Sequence, residues 1–153
     1  MQIAIGSDQH GLAYKKMIVE EFGKKGHRFI DVGTYDAQPV SYPGIAYKAT
    51  KKVADGDCER AILICGTGIG MAIAANKVKG AYAAVCHDLY STERSVLSNN
   101  GNVMCMGALV IGPKTAEKLV ELWLSLRFDA AGPSAKKVAE IFEIESGSFE
   151  GQR

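Results

Sequence analysis

Short apolar segments alternate with longer amphipathic segments along most of the chain, and this alternation limits the possible folds more than any other feature. The longer segments carry apolar residues at spacings of three and four, which is typical of helices packed by one face. Strands that alternate with helices favour a parallel sheet with crossover helices, an α/β fold. The predicted strands are residues 2–6, 28–32, 61–64, 81–85 and 103–106, with a continuation of the last into 109–111 left open. The predicted helices are residues 14–24, 45–54, 69–77, 92–97, 114–126 and 135–144.

One domain accounts for this pattern. The 153 residues fall within the usual size of a single domain, and 47% of them are apolar, as in ordinary globular proteins. No Ser/Gly/Pro-rich linker and no internal repeat interrupts the pattern. We expect a domain over residues 1–145, followed by a loosely attached tail over residues 146–153.

Charge, hydropathy and cysteine content exclude several classes of protein. Eighteen Lys and Arg residues balance seventeen Asp and Glu residues, and no basic run is long enough to follow a nucleic acid. The start of the chain lacks a basic segment followed by a long apolar one, and no stretch has the roughly eighteen apolar residues of a membrane span. We therefore expect a cytoplasmic protein without nucleic-acid or membrane partners, whose four scattered cysteines are reduced thiols.

Polar side chains follow three of the predicted strands. Asp8 follows the first strand, Cys65 the third, and the pair His87-Asp88 the fourth. Ligands of an open parallel sheet bind beyond the carboxyl ends of its strands, so these residues are expected to meet at one crevice. His87 is either a second acid at this crevice or a histidine that only forms a hydrogen bond at a strand end.

The segment from Ile62 to Gly70 reads Ile-Leu-Ile-Cys-Gly-Thr-Gly-Ile-Gly, so an apolar strand ends in a thiol and glycines lead directly into a helix. Free N–H groups at a helix start stabilise negative charge, and glycines allow a ligand to approach the backbone closely. The same field favours the thiolate form of Cys65. The segment therefore places a base next to N–H groups that can stabilise an oxyanion.

Two other interpretations of this segment are open. In the first, Cys65 simply packs in the core, which is the usual role of an isolated cysteine. Alternatively, the glycines would form a dinucleotide-binding turn, with Asp88 as the ribose-binding acid about twenty residues on. Against the second interpretation, the spacing is G-x-G-x-G, and the turn is the third strand–helix junction rather than the first. The three histidines have no H-x-x-x-H spacing, so no metal site is expected.

Six short motifs occur together in this chain: Asp8 after a Gly-Ser turn, Asp31-Val32-Gly33-Thr34, Tyr42-Pro43, the cysteine–glycine segment, Ala74-Ala75-Asn76-Lys77, and Asn99-Asn100-Gly101-Asn102-Val103. In combination they resemble the family of type B ribose-5-phosphate isomerases and galactose-6-phosphate isomerases. The resemblance covers roughly residues 1–145. It implies a Rossmann-like, three-layer α/β/α fold with about five parallel strands, and an aldose–ketose isomerisation through a cis-enediol(ate) without metal or other cofactor. It also implies a homodimer, or a dimer of dimers, whose active sites are shared between subunits.

The resemblance also implies roles for individual residues. Cys65 resembles the base that takes a proton from C2 of the aldose or C1 of the ketose, and Thr67 resembles a group that stabilises the enediolate. Asp8 and Asn99 resemble residues that bind the sugar phosphate. The other residues expected at the substrate site are Gln9, His10, Gly66, Gly68, Ile69, Gly70, His87, Arg94, Ser98 and Lys137.

Three parts of the site depart from the family pattern. Gln9 stands where a histidine usually follows the first aspartate, and His10 comes one residue later. Ser98 stands where a histidine usually opens the sugar ring. Pro133 and Lys137 replace two arginines that usually bind phosphate, and a lysine cannot form the bidentate contact of an arginine.

These departures predict a different substrate. A four-carbon sugar phosphorylated on O4 has no hydroxyl with which to close a five-membered ring, so its isomerase needs no ring-opening acid. Residues 87–100 are also similar to isomerases of erythritol catabolism, which act on erythrulose 4-phosphate. We therefore expect a preference for D-erythrulose 4-phosphate, with ribose 5-phosphate and ribulose 5-phosphate as the alternative pair. Arg94, one helical turn before Ser98, either supplies the lost phosphate-binding cation or is a solvated surface arginine.

A second function class stays open beside the enzyme. Some galactose-6-phosphate isomerases pair unlike subunits, so the chain is alternatively a non-catalytic subunit of a heteromeric isomerase or a sugar-phosphate-binding protein. The presence of Cys65 and Thr67 favours the enzyme, because a binding protein has no need of a reactive thiol.

Overall fold

The computed structural model describes residues 1–151, which form a five-stranded parallel sheet between two layers of helices. The predicted three-layer, Rossmann-like α/β fold is therefore confirmed. The strands are β1 (Gln2–Ser7), β2 (Arg28–Asp31), β3 (Arg60–Cys65), β4 (Ala83–Val85) and β5 (Val103–Gly107). The helices are α1 (Leu12–Lys24), α2 (Tyr42–Ala54), α3 (Ile69–Ala75), α4 (Leu89–Leu97), α5 (Pro113–Ser125) and α6 (Ala135–Ser146).

The strand order of the sheet is β2-β1-β3-β5-β4, and every neighbouring pair is parallel. β3 lies in the middle, and all six of its residues are buried. A parallel strand covered by helices on both faces requires such a continuous apolar run, which explains why β3 does not alternate apolar and polar residues.

Each face of the sheet has its own core. On one face, Phe22 of α1 and Trp123 of α5 lie in the same apolar cluster as Ile64 of β3. On the other face, Met71 of α3 lies in the same cluster as Cys65. Successive side chains of a strand point to opposite faces, so the last residue of β3 directs its thiol toward the α2 and α3 side.

The strands lie within two residues of their predicted limits, and two of the differences have a visible cause. β4 begins at Ala83, because Oδ1 of Asn102 accepts the N–H of the residue before it at 2.8 Å, in place of a strand partner. β5 ends at Gly107, and its suggested continuation over residues 109–111 is wrong. The chain turns there, since the N–H of Ile111 donates to the carbonyl of Gly107 at 3.2 Å.

Two helices begin three residues earlier than predicted. α2 begins at Tyr42 with Pro43 in its first turn, where a proline costs no helical hydrogen bond. α4 begins at Leu89, because Oδ1 of Asp88 accepts the N–H of Ser91 at 2.7 Å and caps the helix. The cap brings the start of α4 close to the end of β4.

The last helix extends slightly beyond its predicted end. α6 ends at Ser146, followed by Gly147 with a φ of 76°, a conformation that favours glycine. The remaining described residues up to 151 are exposed. Within residues 1–151, no helix has the length and apolar character needed to cross a membrane.

Candidate active site

The carboxyl ends of β1 and β3 form the centre of the site. These two strands are neighbours, in a register that pairs Ser7 with Ile64, and the N–H of Asp8 donates to the carbonyl of Ile64 at 3.0 Å. The helices that follow them, α1 and α3, lie in the cores of opposite faces. Such a switch point opens a crevice at the edge of an α/β sheet. Asp8 and Cys65 therefore meet as predicted.

Cys65 is the last residue of β3, and its side chain receives a backbone hydrogen bond. The N–H of Gly68 donates to Sγ of Cys65 at 3.0 Å, and the residue is 5% exposed. The N–H of Ile69 donates to Oγ1 of Thr67 at 3.3 Å. The turn that was predicted to bind an oxyanion therefore also contacts the thiol directly, through a backbone N–H group.

The other cysteines have different surroundings. Burial raises the pKa of Cys58, Cys86 and Cys105, and for Cys105 the pKa lies well above that of an ordinary thiol. Cys86 and Cys105 are completely buried in the core. The chain thus has one cysteine at the crevice and three that are kept protonated.

The end of β5 and the residues that follow it, 107–109, hold the turn after Cys65 in place. The N–H of Ala108 donates to the carbonyl of Cys65 at 2.8 Å, and the N–H of Leu109 donates to the carbonyl of Gly66 at 3.0 Å. A Cβ atom on Gly68 would lie 2.9 Å from the carbonyl carbon of Met106. The turn therefore lies directly against the backbone of β5, and only a glycine fits at position 68.

The corner after β1 contains three polar side chains. Oδ1 of Asp8 accepts the N–H groups of His10 at 2.9 Å and Gly11 at 3.1 Å, which fixes this buried carboxylate. The imidazole of His10 lies beside the cysteine–glycine turn, since its Cδ2 is 3.8 Å from the position of a Cβ on Gly66. Oε1 of Gln9 accepts the N–H of Val40 at 3.4 Å. Gln9 therefore contacts the loop before α2, while His10 flanks the crevice.

His87 follows β4 and reaches the same edge of the sheet. Its Nε2 accepts the N–H of Gly107 at 2.8 Å, and Gly107 is the register partner of Cys65. Burial lowers the pKa of His87, an effect larger than the opposite influence of the Asp88 charge. Because Nε2 accepts a hydrogen bond, the imidazole is neutral and carries its proton on Nδ1. This geometry corresponds to the second of the two predicted roles, a histidine hydrogen-bonded at a strand end.

Three predicted substrate residues, Ser98, Asn99 and Lys137, lie away from the crevice. α4 runs away from the crevice, and Ser98 and Asn99 follow its end. Asn99 lines a cavity of about 270 Å³ together with Ala83, the first residue of β4. Lys137 is exposed on α6. The amino end of β4 is opposite to the crevice, so within one chain these residues do not join Cys65.

Arg94 lies beside Ser98, as their spacing predicted. Its Nη1 donates to Oγ of Ser98 at 3.4 Å, and its Nη2 lies 2.6 Å from a carboxylate oxygen of Glu93. The backbone carbonyl of Arg94 accepts the Nδ2 group of Asn99 at 2.9 Å. Arg94, Ser98 and Asn99, all predicted at the substrate site, therefore form one cluster.

Tyr42 is a site residue that sequence reasoning did not select. A Cβ on Gly70 would lie 2.6 Å from the ring of Tyr42, so the ring covers the first turn of α3. The Tyr-Pro pair was noted as a motif, but its spacing gave no indication of a contact with a helix on the same face. Among residues 1–151, no group of three His, Cys, Asp or Glu side chains is arranged to hold a metal ion.

Fold and site together define the class of protein: a parallel α/β sheet with a thiol and a glycine-rich turn at its switch point. A family model described as Ribose/Galactose Isomerase matches residues 3–141. The chain therefore belongs to the ribose/galactose isomerase family, as its motifs predicted, and is a sugar-phosphate aldose–ketose isomerase. This assignment selects the isomerase interpretation of the glycine turn over the dinucleotide-binding one.

Individual relatives align with most of this chain. D-erythrulose-4-phosphate isomerase 2 of Mycolicibacterium smegmatis is 46% identical over 149 residues, which cover 95% of this chain and 97% of the relative. Ribose-5-P isomerase B of Listeria innocua is also 46% identical, over 145 residues and with the same coverage of both chains. The structure of ribose-5-phosphate isomerase B from Clostridium thermocellum matches with a TM-score of 0.92 and 41% identity, covering 96% of this chain and 99% of that one. Overall identity therefore does not distinguish between the two substrates.

Proposed function

We propose that this isomerase prefers D-erythrulose 4-phosphate and that Cys65 is its base. The observation that carries the proposal is the position of the Cys65 thiol. It lies at the switch point of the sheet and accepts the N–H of Gly68 at 3.0 Å. The identity of residue 98 selects the substrate. Ribose 5-phosphate and ribulose 5-phosphate form the alternative substrate pair.

The reaction needs one base and one anion-stabilising group. The thiolate of Cys65 removes the proton from the carbon next to the carbonyl, so a C–H bond breaks and an S–H bond forms. The released electron pair forms the C=C bond of an enediolate, and negative charge develops on the former carbonyl oxygen. Thr67 and the N–H groups of the glycine turn stabilise this oxygen. The proton of the neighbouring hydroxyl then moves to it, so the charge passes to the hydroxyl oxygen. That oxygen becomes the new carbonyl oxygen as the thiol returns its proton to the former carbonyl carbon.

A four-carbon substrate agrees with the residue at the end of α4. A furanose must be opened by an acid before it can isomerise, whereas a tetrose 4-phosphate is already open. Ser98 cannot act as such an acid, and its hydroxyl is bound by Arg94 instead. Arg94 thereby holds a cation within reach of this position, where it would bind the phosphate in place of the arginines that the chain lacks.

Ser98 and Asn99 lie away from Cys65 within one chain, and this separation supports a site shared between two subunits. Ser98 and Asn99 lie at the amino end of the sheet, so they can contact a substrate at Cys65 only if a second copy supplies them. Ile69 and Ile73 of α3 are 55% and 59% exposed, and an apolar helix face of this kind is suited to a subunit interface. We therefore propose a homodimer, alone or within a dimer of dimers, with each site formed by two subunits.

Subunit mixing tests this arrangement. Cys65→Ala and Asn99→Ala are each expected to be inactive, whereas a refolded equal mixture regains about a quarter of the wild-type activity. Random pairing makes half of the dimers mixed, and each mixed dimer holds one intact site. The matched control mixes Cys65→Ala with Thr67→Ala, which lie on the same side of the site and regain no activity. If the first mixture also stays inactive, the site is not shared in this way.

The substrate preference is tested by restoring the missing acid. Ser98→His is expected to raise kcat/KM for ribose 5-phosphate relative to D-erythrulose 4-phosphate by about tenfold or more, because general acid catalysis contributes at least this much. Ser98→Ala controls for loss of the hydroxyl and leaves the ratio unchanged. A wild-type enzyme with equal kcat/KM for both substrates would contradict the preference for four carbons.

The phosphate role of Arg94 has a separate test. Arg94→Ala is expected to raise KM for the sugar phosphate about tenfold or more, because a charge-assisted contact is lost. Arg28→Ala removes an exposed arginine of β2 and serves as the control for net charge. Unchanged kcat/KM in Arg94→Ala would show that Arg94 is a surface residue.

A further inference from the structure

We propose that His87 is a positioning residue, which holds the oxyanion-binding turn in place through Gly107 and does not transfer a proton. The proposal rests on the proposed function insofar as the turn after Cys65 is taken as the catalytic one. The interaction that carries it is the 2.8 Å hydrogen bond from the N–H of Gly107 to Nε2 of His87.

This hydrogen bond continues the sheet beyond its last backbone pair. The β4–β5 ladder ends with Val85 opposite Cys105, and the N–H of Cys86 then donates to the carbonyl of Cys105 at 2.9 Å. Beyond this point the chain leaves β5 toward α4, so no backbone carbonyl of β4 is opposite Gly107. The imidazole of His87 takes that place and supplies the acceptor.

Gly107 in turn touches the catalytic segment. A Cβ on Gly107 would lie 2.7 Å from Cα and from the carbonyl carbon of Thr67, and 2.8 Å from the carbonyl oxygen of Gly66. The next two N–H groups, of Ala108 and Leu109, donate to the carbonyls of Cys65 and Gly66. A shift of Gly107 would therefore move the peptide groups that are proposed to hold the enediolate.

The protonation state of the imidazole agrees with this role. An acceptor nitrogen must be unprotonated, and burial keeps the imidazole neutral by lowering the pKa of His87. Because Nε2 already accepts a hydrogen bond, protonating it would break the contact with Gly107. The geometry thus favours an acceptor that is held fixed during turnover over a second acid.

Two substitutions at this position separate positioning from direct catalysis. His87→Leu removes the acceptor at similar volume and is expected to lower kcat about tenfold to a hundredfold with KM little changed, because oxyanion-hole contacts act mainly in the transition state. His87→Gln retains an acceptor oxygen at about the reach of Nε2 and is expected to keep kcat within about threefold of wild type. His27→Leu, at the other edge of the sheet, is the control histidine and leaves both constants unchanged.

Hydrogen exchange and nitrogen NMR test the contact without turnover. The amide proton of Gly107 should be protected in wild type and His87→Gln but exchange faster in His87→Leu, and the wild-type imidazole should carry its proton on Nδ1. This readout distinguishes a wrong positioning role from a wrong isomerase assignment, since it does not depend on substrate. Equal loss of kcat in both His87 variants, an unaffected His87→Leu enzyme, or a wild-type Nε2–H tautomer would each overturn the proposal.

Discussion

Replacing Gly68 by alanine tests how tightly the turn after Cys65 is built into the fold. Gly68 has a φ of 78°, and a Cβ there would lie 2.9 to 3.0 Å from three backbone atoms of Met106 in β5. The neighbour is the backbone of an internal strand rather than the end of a flexible side chain. It cannot move aside without disturbing the sheet.

The expected cost has two parts. A left-handed conformation costs a residue with a side chain about 1–2 kcal/mol, and forcing an extra carbon into a packed region typically costs about 1–3 kcal/mol. Gly68→Ala is therefore expected to lower the free energy of unfolding by about 2–5 kcal/mol, which is a large share of the stability of an ordinary domain. The turn should also lose its geometry, so kcat should fall as well.

Urea unfolding monitored by fluorescence measures this effect, because the chain has a single tryptophan, Trp123, which is completely buried. Gly23→Ala is the matched control, since it makes the same change in α1 where a new Cβ meets nothing within 4 Å. It should stabilise the protein by about 0.5–1 kcal/mol, as alanine does in helices. If Gly68→Ala is as stable as wild type, the close approach of the turn to β5 is not a real constraint.

Three further predictions concern buried polar groups and thiols. Lys15→Met leaves the buried backbone carbonyl of Thr34 without the ammonium group that binds it. The free energy of unfolding measured in urea should fall by about 1–3 kcal/mol, whereas Lys16→Met, at an exposed position, should change it little. Burial lowers the pKa of His27 and His87, so the unfolded chain binds protons at a higher pH than the folded one. The free energy of unfolding should therefore fall as the pH drops below about 6.5. A thermal midpoint that stays constant or rises from pH 7.5 to 5.5 would contradict this. Iodoacetamide at neutral pH should modify Cys65 before the other cysteines, because burial raises the pKa values of those three. Mass spectrometry of partly inactivated enzyme shows which cysteine is labelled first. Labelling of another cysteine first would refute the prediction.

The sequence was most informative where local pattern and topology agree. The apolar run of β3 and the glycines after Cys65 predicted a strand, a turn and a helix, because each signal depends only on neighbouring residues. Asp8 and His87 were correctly expected near Cys65, since the carboxyl ends of parallel strands share one edge of the sheet.

Contacts between distant segments could not be read from the chain. Lys15 lies on α1 at a buried position, where it binds Asp31 at 2.7 Å, and helical spacing alone gave no reason to expect a buried charge there. The hydrogen bond between His87 and Gly107 depends on where β4 ends relative to β5, which periodicity does not fix. The turn at residues 109–111 was read as possible strand because its residues are apolar, although they are partly or largely exposed.

What is known of Ser98 and Asn99 comes from two sources. Their chemical roles came from the family resemblance, whereas their location at the opposite end of the sheet follows from the length and direction of α4. The resemblance already implied active sites shared between subunits, and the position of Ser98 and Asn99 away from Cys65 within one chain agrees with that expectation.

Aldose–ketose interconversion by the purified chain tests the central claim most directly, with kcat/KM measured for four-, five- and six-carbon sugar phosphates and with Cys65→Ala as the paired variant. The account predicts turnover by wild type with the highest kcat/KM on D-erythrulose 4-phosphate, and no turnover by Cys65→Ala. Comparable values for ribose 5-phosphate would contradict the substrate preference alone. Full activity in Cys65→Ala, or no turnover of any sugar phosphate by wild type, would contradict the assignment of Cys65 as the base of a self-sufficient isomerase.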